Sequence, residues 1–318
     1  MWNRLRDRGV LGINRRNARY TLTANDRSRY PLVDDKLATK QICNREGIPV
    51  PRLLAQARVH VEARTLPDAL RGFDSFVLKP ARGAMGNGIL VLEADGDGYL
   101  RGGRDFARED LVYHAAGIIS GLYSLAGHHD TALVEERLET PLLLRSLSPD
   151  GVPDVRVILY RGVPVMAMVR LPTAKSGGRA NLHQGAIGAG VDLISGRTSH
   201  AVSGHRPVRE HPDSGESVID VEIPEFDRVL EIAVRATDLT GLGYVGADVV
   251  VDAVRGPVIL ELNARPGLAI QLANQVGLRP RLDSIDRRFG RADSDWPLTL
   301  PVAERVELGR DIVRESAS

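Results

Sequence analysis

The 318-residue sequence predicts an α+β protein. Two apolar stretches fold back on themselves: 154–171, turning at Arg161-Gly162, and 244–263, turning near Arg255-Gly256. The segment 224–241 has the 3.6-residue period of an amphipathic helix, with a proline near its first turn and a glycine after it. No regular strand–helix–strand alternation links these parts, which argues for mixed hairpins and helices over a parallel α/β sheet.

Taken in order, residues 1–30 hold eight arginines and two acids, for a net charge of +6. They show no clean period and read as an arm wrapped on the surface. Residues 35–46 read as a helix, capped by Asp34 or Asp35 and stopped by Gly47 and Pro49. A second helix is expected around 67–72. FVLK at 76–79 and GILVLE at 88–93 are strands on either side of a glycine-rich loop, and 107–126 is helical. Residues 131–138 form a strand leading into a bend. Residues 172–200 read as a long polar loop whose six glycines make a mobile lid, ordered only by ligand. Residues 302–315 form a last helix.

Composition narrows the function. An apolar fraction of 43% excludes general disorder, and a net charge of +1 excludes a protein built around a wide basic nucleic-acid surface. No apolar run reaches the roughly 18 residues of a membrane span, and the N-terminal segment is too charged for a signal peptide. The single Cys43 permits no internal disulfide and reads as a helix-packing residue, so a cytoplasmic location is expected. Only four of the 42 basic residues are lysine: Lys36, Lys40, Lys79 and Lys175. A lysine that persists among arginines points to a place where a compact point charge is needed.

Two constellations carry chemistry. In the strand 258–263, period two puts Glu261 and Asn263 on one face. A turn near 255 lays Asp248 across from positions 261–263, and Asp248 is an acid within an otherwise apolar strand. Three oxygen donors then converge, the ligand type that Mg²⁺ takes while sharing phosphates; two solvated acids on an edge hairpin is the bland alternative. Lys79 ends a strand and is followed by PARGAMGNG, whose Gly83, Gly86 and Gly88 let backbone N–H groups cradle phosphate. An ordinary glycine-rich hairpin loop is equally compatible. There is no Walker A, and no kinase catalytic motif. Gly241-Leu-Gly-Tyr-Val-Gly246 matches G-x-G-x-x-G but follows a helix and precedes a strand, the reverse of the dinucleotide-binding order.

DKLATKQICNREGIPVP, FVLKPARGAMGNGILVL, ALVEERL, DVRVILYRGVPVMA, GRANLHQGA, GADVVVD and VILELNARPGL, in this order, resemble the ATP-grasp superfamily and within it the RimK-type glutamate ligases. The resemblance implies an ATP-grasp fold of two α+β lobes around a nucleotide cleft. It implies ATP and Mg²⁺, with Mn²⁺ as a substitute, as cofactors. It matches Lys36 and Lys79 to the nucleotide-contacting lysines, with Lys40 as a weaker claimant, and Gly83, Gly86 and Gly88 to the phosphate loop. Glu136 and Arg137 match the hinge beside adenine, and Asp154 the acid that grips the ribose. Arg156 would face the transferring phosphate, and Arg179 and Asn181 would reach the γ-phosphate. Asp248, Glu261 and Asn263 match the metal ligands. His183 shares the loop of Arg179 and Asn181.

The implied activity is carboxylate–amine ligation through an acyl phosphate, adding an amino acid such as glutamate to an acceptor. ATP-grasp proteins of sugar transfer or envelope-polymer assembly, and a nucleotide-binding protein without turnover, are the alternatives. The partners expected are small-molecule or peptide carboxylates and amines, with no nucleic acid and no membrane span; a homo-oligomer is left open. The expected organisation is an arm at 1–34, an ATP-grasp domain at 35–275 with a small lobe at about 72–135, and a C-terminal extension at 276–318. The chain departs from the family pattern in lacking a full N-terminal domain before the match, in an apparent insertion at 200–223, and in that extension. The arm is expected either to recognise an acidic substrate or partner, or to pair with acids of the chain's own surface. The pairs His128-His129 and His200/His205 lack the context of a zinc site.

Overall fold

A computed structural model describes residues 7–83, 86–124, 127–290 and 299–317. Parts of four expectations lie outside these residues: the first six residues of the arm, positions 84–85 of the glycine-rich loop, positions 125–126 of the stretch expected as a 107–126 helix (which already ends at Ile119), and 291–298 with 318 in the C-terminal extension. The chain divides into two compact units. The smaller takes Asp35–Lys40 and Pro51–Leu138; the larger takes the described residues up to Asp34, Gln41–Val50, and those from Glu139 onward.

In the smaller unit, β1 (Leu53–Ala57), β2 (Ser75–Pro80), β3 (Leu90–Asp95), β4 (Gly98–Arg101), β5 (Arg104–Phe106) and β6 (Ala132–Glu136) form an antiparallel sheet in the order β1-β6-β2-β3-β4-β5. Two helices, α2 (His60–Ala69) and α3 (Arg108–Ile119), pack on it. Phe76, Leu78, Leu90, Leu92, Leu111, Ile118 and Val134 are its core. Each such burial contributes about 1.5–3 kcal/mol. The helix expected at 67–72 lies earlier, at His60–Ala69, because Ala63 and Leu66 supply the buried face. Pro67 sits near its end, where it removes only one late helical bond. Strand β1 and the β4–β5 hairpin carry no strong alternation and were not expected. Helix α1 is Lys36–Arg45; the Asp35 side chain accepts from Leu37 N (2.9 Å) and Ala38 N (3.3 Å), so Asp35 is the cap.

In the larger unit, β7 (Asp154–Tyr160), β8 (Val163–Leu171), β9 (Ile187–Val191), β10 (Thr198–Ser203), β11 (Arg206–Val208), β12 (Tyr244–Asp252) and β13 (Gly256–Asn263) form an antiparallel sheet ordered β11-β10-β9-β8-β7-β12-β13. Both expected hairpins are present; Arg161 (φ 53°) and Gly162 (φ 75°) make the first turn. Helix α5 (Phe226–Asp238) covers one face through Val229, Leu230, Ala233 and Ala236. Helices α6 (Ile270–Asn274) and α7 (Arg279–Phe289) contribute Ile270, Leu282 and Ile285 to a second core on residues that include Ile158 and Met166. A sheet covered on both faces explains why β7, β8 and β12 read as continuous apolar runs. Short α4 (Leu142–Leu147) and C-terminal α8 (Val302–Ala317) complete the unit.

Three expectations in the larger unit are revised. The segment 172–200 is not a lid throughout: β9 and the start of β10 lie within it, and β9 is buried along its length. Its glycines serve close packing there. A Cβ on Gly190 would meet the Ala273 carbonyl oxygen at 2.6 Å, and one on Gly188 would meet the Leu182 side chain at 2.7 Å. The apparent insertion at 200–223 supplies β11 and most of β10, so it belongs to the same sheet. The arm is also not irregular: Ile13–Ala24 is helical, with a π-helical stretch at Arg16–Thr21, and Leu11 and Tyr20 are buried.

Candidate active site

The larger unit concentrates charge on β7, β8, β12 and β13. Asp248 lies opposite Arg156 on β7 and opposite Glu261 on β13, so three charged side chains form a row across three strands. Asp154 lies opposite Arg170 on β8. Both pairings depend on a register shift, between Asp248 and Val249 in one hairpin and between Ile158 and Leu159 in the other. Counted from the turns without those shifts, Asp154 would face Val169 and Asp248 would face Leu260. One extra residue in each hairpin brings the charges together.

The contacts are close. Arg156 donates from Nε (2.7 Å) and Nη2 (2.6 Å) to the two oxygens of Asp248. Arg170 donates to both oxygens of Asp154 at 2.5 Å and to Asp248 Oδ2 at 2.8 Å. Asn263 Nδ2 lies 3.2 Å from Glu261 Oε1 and 3.4 Å from Asp248 Oδ2. Asp248 is fully buried. Burial works to raise its pKa, but the guanidiniums of Arg156 and Arg170 outweigh it and hold the carboxyl well below the usual range. Asp154 moves the other way: burial, with the neighbouring charge of Asp248, pushes it up against the pull of Arg170.

Among the described residues no group of three or more His, Cys, Asp or Glu side chains is arranged to hold a metal ion. A cation here needs Asn263 as well as the acids. The donor chemistry fits one: two carboxylates and a carboxamide converge, and half a turn of the Asn263 amide presents Oδ1 in place of Nδ2.

The smaller unit holds a separate, cationic cluster. Lys79 on β2 reaches Glu135 Oε2 at 2.6 Å, and Lys40 on α1 reaches Glu135 Oε1 at 3.1 Å. Lys40 also donates to the Pro51 carbonyl. All three side chains are buried. Burial pulls Lys40 down to about 8, against the raising effect of Glu135. Burial opposes ionisation of Glu135 too, yet the charges of Lys79 and Lys40 outweigh it and keep its pKa low. Lys36 Nζ donates to the Gly83 carbonyl (2.8 Å), and Asp130 accepts from Arg82 N through both oxygens (3.1 and 3.0 Å), which anchors the start of the glycine-rich loop. Gly86 and Gly88 have φ near +75°, and a Cβ on Gly88 would meet the Tyr123 ring at 2.6 Å.

A profile of the sugar-transfer associated ATP-grasp family matches residues 15–287. The chain belongs to that family. The ATP-grasp fold expected from the sequence is therefore present, as α+β units on two antiparallel sheets. The match names the sugar-transfer associated branch, so it supports the superfamily and not the narrower RimK-type grouping. No curated protein matches the sequence. Among solved structures, this ATP-grasp chain is similar to the ATP-grasp ligase PsnB complexed with minimal precursor, at 17% identity and TM-score 0.45 over 83% of this chain and 64% of that one. A PsnB complex with a phosphomimetic precursor variant, Mg and ADP gives 17% identity and TM-score 0.44 over 83% and 60%. D-alanine–D-alanine ligase from Bacillus anthracis gives 11% identity and TM-score 0.47 over 93% and 72%. The chain thus spans less than two thirds of the PsnB chains it matches.

The remaining expected residues fall as follows. Arg156 and Asp154, expected to face phosphate and ribose, are engaged with Asp248 and Arg170. Glu136 accepts from Arg52 N (2.5 Å), and Arg137 pairs with Glu93. Arg179 is exposed; the Asn181 side chain accepts from His183 N (3.0 Å) and caps the turn Leu182–Gln184. Sequence reasoning missed Arg170 and Glu135 and discounted Lys40. Arg170 carried the same signal as Asp248, a charge inside an apolar strand. Glu135 precedes another glutamate, and nothing local says which of the two turns inward.

Proposed function

We propose that this ATP-grasp protein is an ATP- and Mg²⁺-dependent ligase that joins a carboxylate to an amine. The observation that carries the reading is the convergence of Asp248, Glu261 and Asn263, braced by Arg156 and Arg170, within a chain of this family. A substrate carboxylate oxygen attacks the γ-phosphorus of ATP; the bond to the β-phosphate oxygen breaks and ADP leaves. The amine nitrogen then attacks the acyl carbon, phosphate leaves, and the amine proton passes to solvent. No side-chain nucleophile is needed. Asp248, Glu261 and Asn263 hold the metal, which draws charge from the phosphate oxygens when bound. Arg156, Arg179 and Asn181 orient the transferring phosphoryl group, an electrostatic and positioning role. In the smaller unit, Lys36, Lys79 and the backbone around Gly83, Gly86 and Gly88 take the nucleotide phosphates, Glu136 and Arg137 border the adenine, and Lys40 supports Lys79 through Glu135.

Glutamate is the amino acid this reading favours. A second reading changes the acceptor to an amino sugar or an envelope-polymer unit, and the sugar-transfer association of the matched family favours it. A screen of acids and amines for paired, ATP-dependent ADP release tests both. Glu261→Gln keeps the volume and removes one metal-binding charge. It is expected to lower ADP formation at least a hundredfold with the circular dichroism spectrum unchanged; turnover within a few-fold of the parent would remove the metal assignment.

A further inference from the structure

The strand pair that carries Asp248, Glu261 and Asn263 does not end on its own hydrogen bonds. Its ladder stops at the rung Gly246–Asn263, after which the chain leaves the strand through Ala264, Arg265 and Pro266. Beyond that rung the Tyr244 backbone has no partner on β13. Asn25 of the N-terminal arm takes that place. Its Oδ1 accepts from Tyr244 N at 2.8 Å, and its Nδ2 donates to Tyr244 O at 2.8 Å and to Ala264 O at 3.2 Å. The side chain is buried. One carboxamide thus supplies the bonds of a missing rung and joins both strands where they part.

Two neighbouring contacts act on the same ends. Gly243 N donates to Ala24 O at 2.8 Å, and Arg16 Nη1 donates to Pro266 O at 2.8 Å. Pro266 packs on Gly246, where a Cβ would approach it to 2.6 Å. Other polar groups of the arm are also turned inward. Tyr20 OH donates to Asp283 Oδ1 at 2.7 Å, and Arg19 pairs with Asp283 at 3.3 Å. Of the two roles the sequence left open for the arm, these contacts favour pairing with its own chain.

We infer that the arm is an internal strap for the acidic hairpin and that Asn25 is a positioning residue, which fixes Asn263 relative to Asp248 by tying Ala264 to Tyr244. The inference rests on the metal assignment proposed above. Removing a group that orients metal ligands typically costs roughly 10–100-fold in affinity.

The experiment uses the full chain with ADP as the probe and Mg²⁺ titrated by calorimetry. Asn25→Ala is expected to raise the Mg²⁺ concentration for half-maximal ADP binding roughly tenfold, while ADP binding without metal is unchanged. Asn25→Ser, which keeps a hydroxyl able to meet one of the three bonds, should give a smaller shift and decides the matter if the alanine variant does not fold. Tyr20→Phe is the control: it removes the Asp283 bond and lowers thermal stability, but should leave the Mg²⁺ requirement where it was. In the ligand-free protein, amide exchange at Tyr244 and Leu262–Ala264 should quicken in Asn25→Ala and not in Tyr20→Phe. Unchanged Mg²⁺ dependence in the Asn25 variants, or an equal shift in Tyr20→Phe, would overturn the positioning role. A parent that binds no ADP with Mg²⁺ would defeat the ligase reading, and the exchange comparison would then still decide whether Asn25 holds the hairpin.

Discussion

The two charged clusters are built on opposite balances. In the smaller unit two lysines surround one glutamate; in the larger, two arginines are set among Asp154, Asp248 and Glu261. The first has a surplus of positive charge and the second a surplus of negative charge. They also differ in how they can relax. Lysine sheds its proton when burial makes the charge too costly, and Lys40 is already drawn toward neutrality. Arginine does not, so Arg156 and Arg170 must keep their carboxylates. The cationic cluster can therefore lose charge as pH rises, whereas the charges of the arginine-locked acidic cluster stay fixed.

This contrast can be broken most forcefully at Asp248. Asp248→Asn leaves two largely buried guanidiniums short of charge, and folding stability measured by urea denaturation should fall by about 3–5 kcal/mol. A loss below about 1 kcal/mol would mean that water or other acids readily replace Asp248. Glu135→Gln is the matched test in the other unit. Because Lys40 can release its proton, the loss should be smaller, about 2 kcal/mol at neutral pH, and should shrink as pH rises. A loss as large and as pH-independent as that of Asp248→Asn would erase the distinction between the clusters.

The smallest effect sharpens the comparison without removing a carboxylate. Lys40 has a folded pKa of about 8, below its value in the unfolded chain. Below pH 8 the buried charge destabilises in full. Above it the unfolded chain binds more protons than the folded one, so stability from this group rises with pH. Between pH 8 and 9.5 the parent should gain on the order of 1 kcal/mol relative to Lys40→Met, read as the difference between their urea midpoints. The window stops short of pH 10 because burial raises the pKa of Tyr20, Tyr160 and Tyr244, whose ionisation in the unfolded chain then favours unfolding. Parallel pH profiles for parent and variant would show that Lys40 carries no such penalty.

Much of this was legible in the sequence where the signal was local. The turns at Arg161-Gly162 and Arg255-Gly256, the cap at Asp35 and the helix at 226–238 follow from residue preferences acting over a few positions. Asp248 stood out because an acid inside an apolar strand needs a partner. The glycines of 172–200 misled because glycine marks close approach as well as freedom, and only the chain packed against Gly188 and Gly190 says which. The arm misled because its arginines are conspicuous, whereas its anchors Leu11, Tyr20 and Asn25 are scattered singly.

By itself, then, the sequence determined which charged residues were present as candidates for phosphate and metal, and on which hairpins the acids lay, because side-chain alternation and turn chemistry act over short range. Tertiary structure alone decided their partners. A one-residue shift in each hairpin set Asp154 against Arg170 and Asp248 between Arg156 and Glu261. The fold of the small sheet turned Glu135 inward between two lysines that lie 39 positions apart in the chain. In the larger unit, packing of the arm brought Asn25 to Tyr244 and Ala264 across more than 200 residues. Such pairings follow from where buried charges and unpaired backbone groups find satisfaction in three dimensions, and no local preference encodes that.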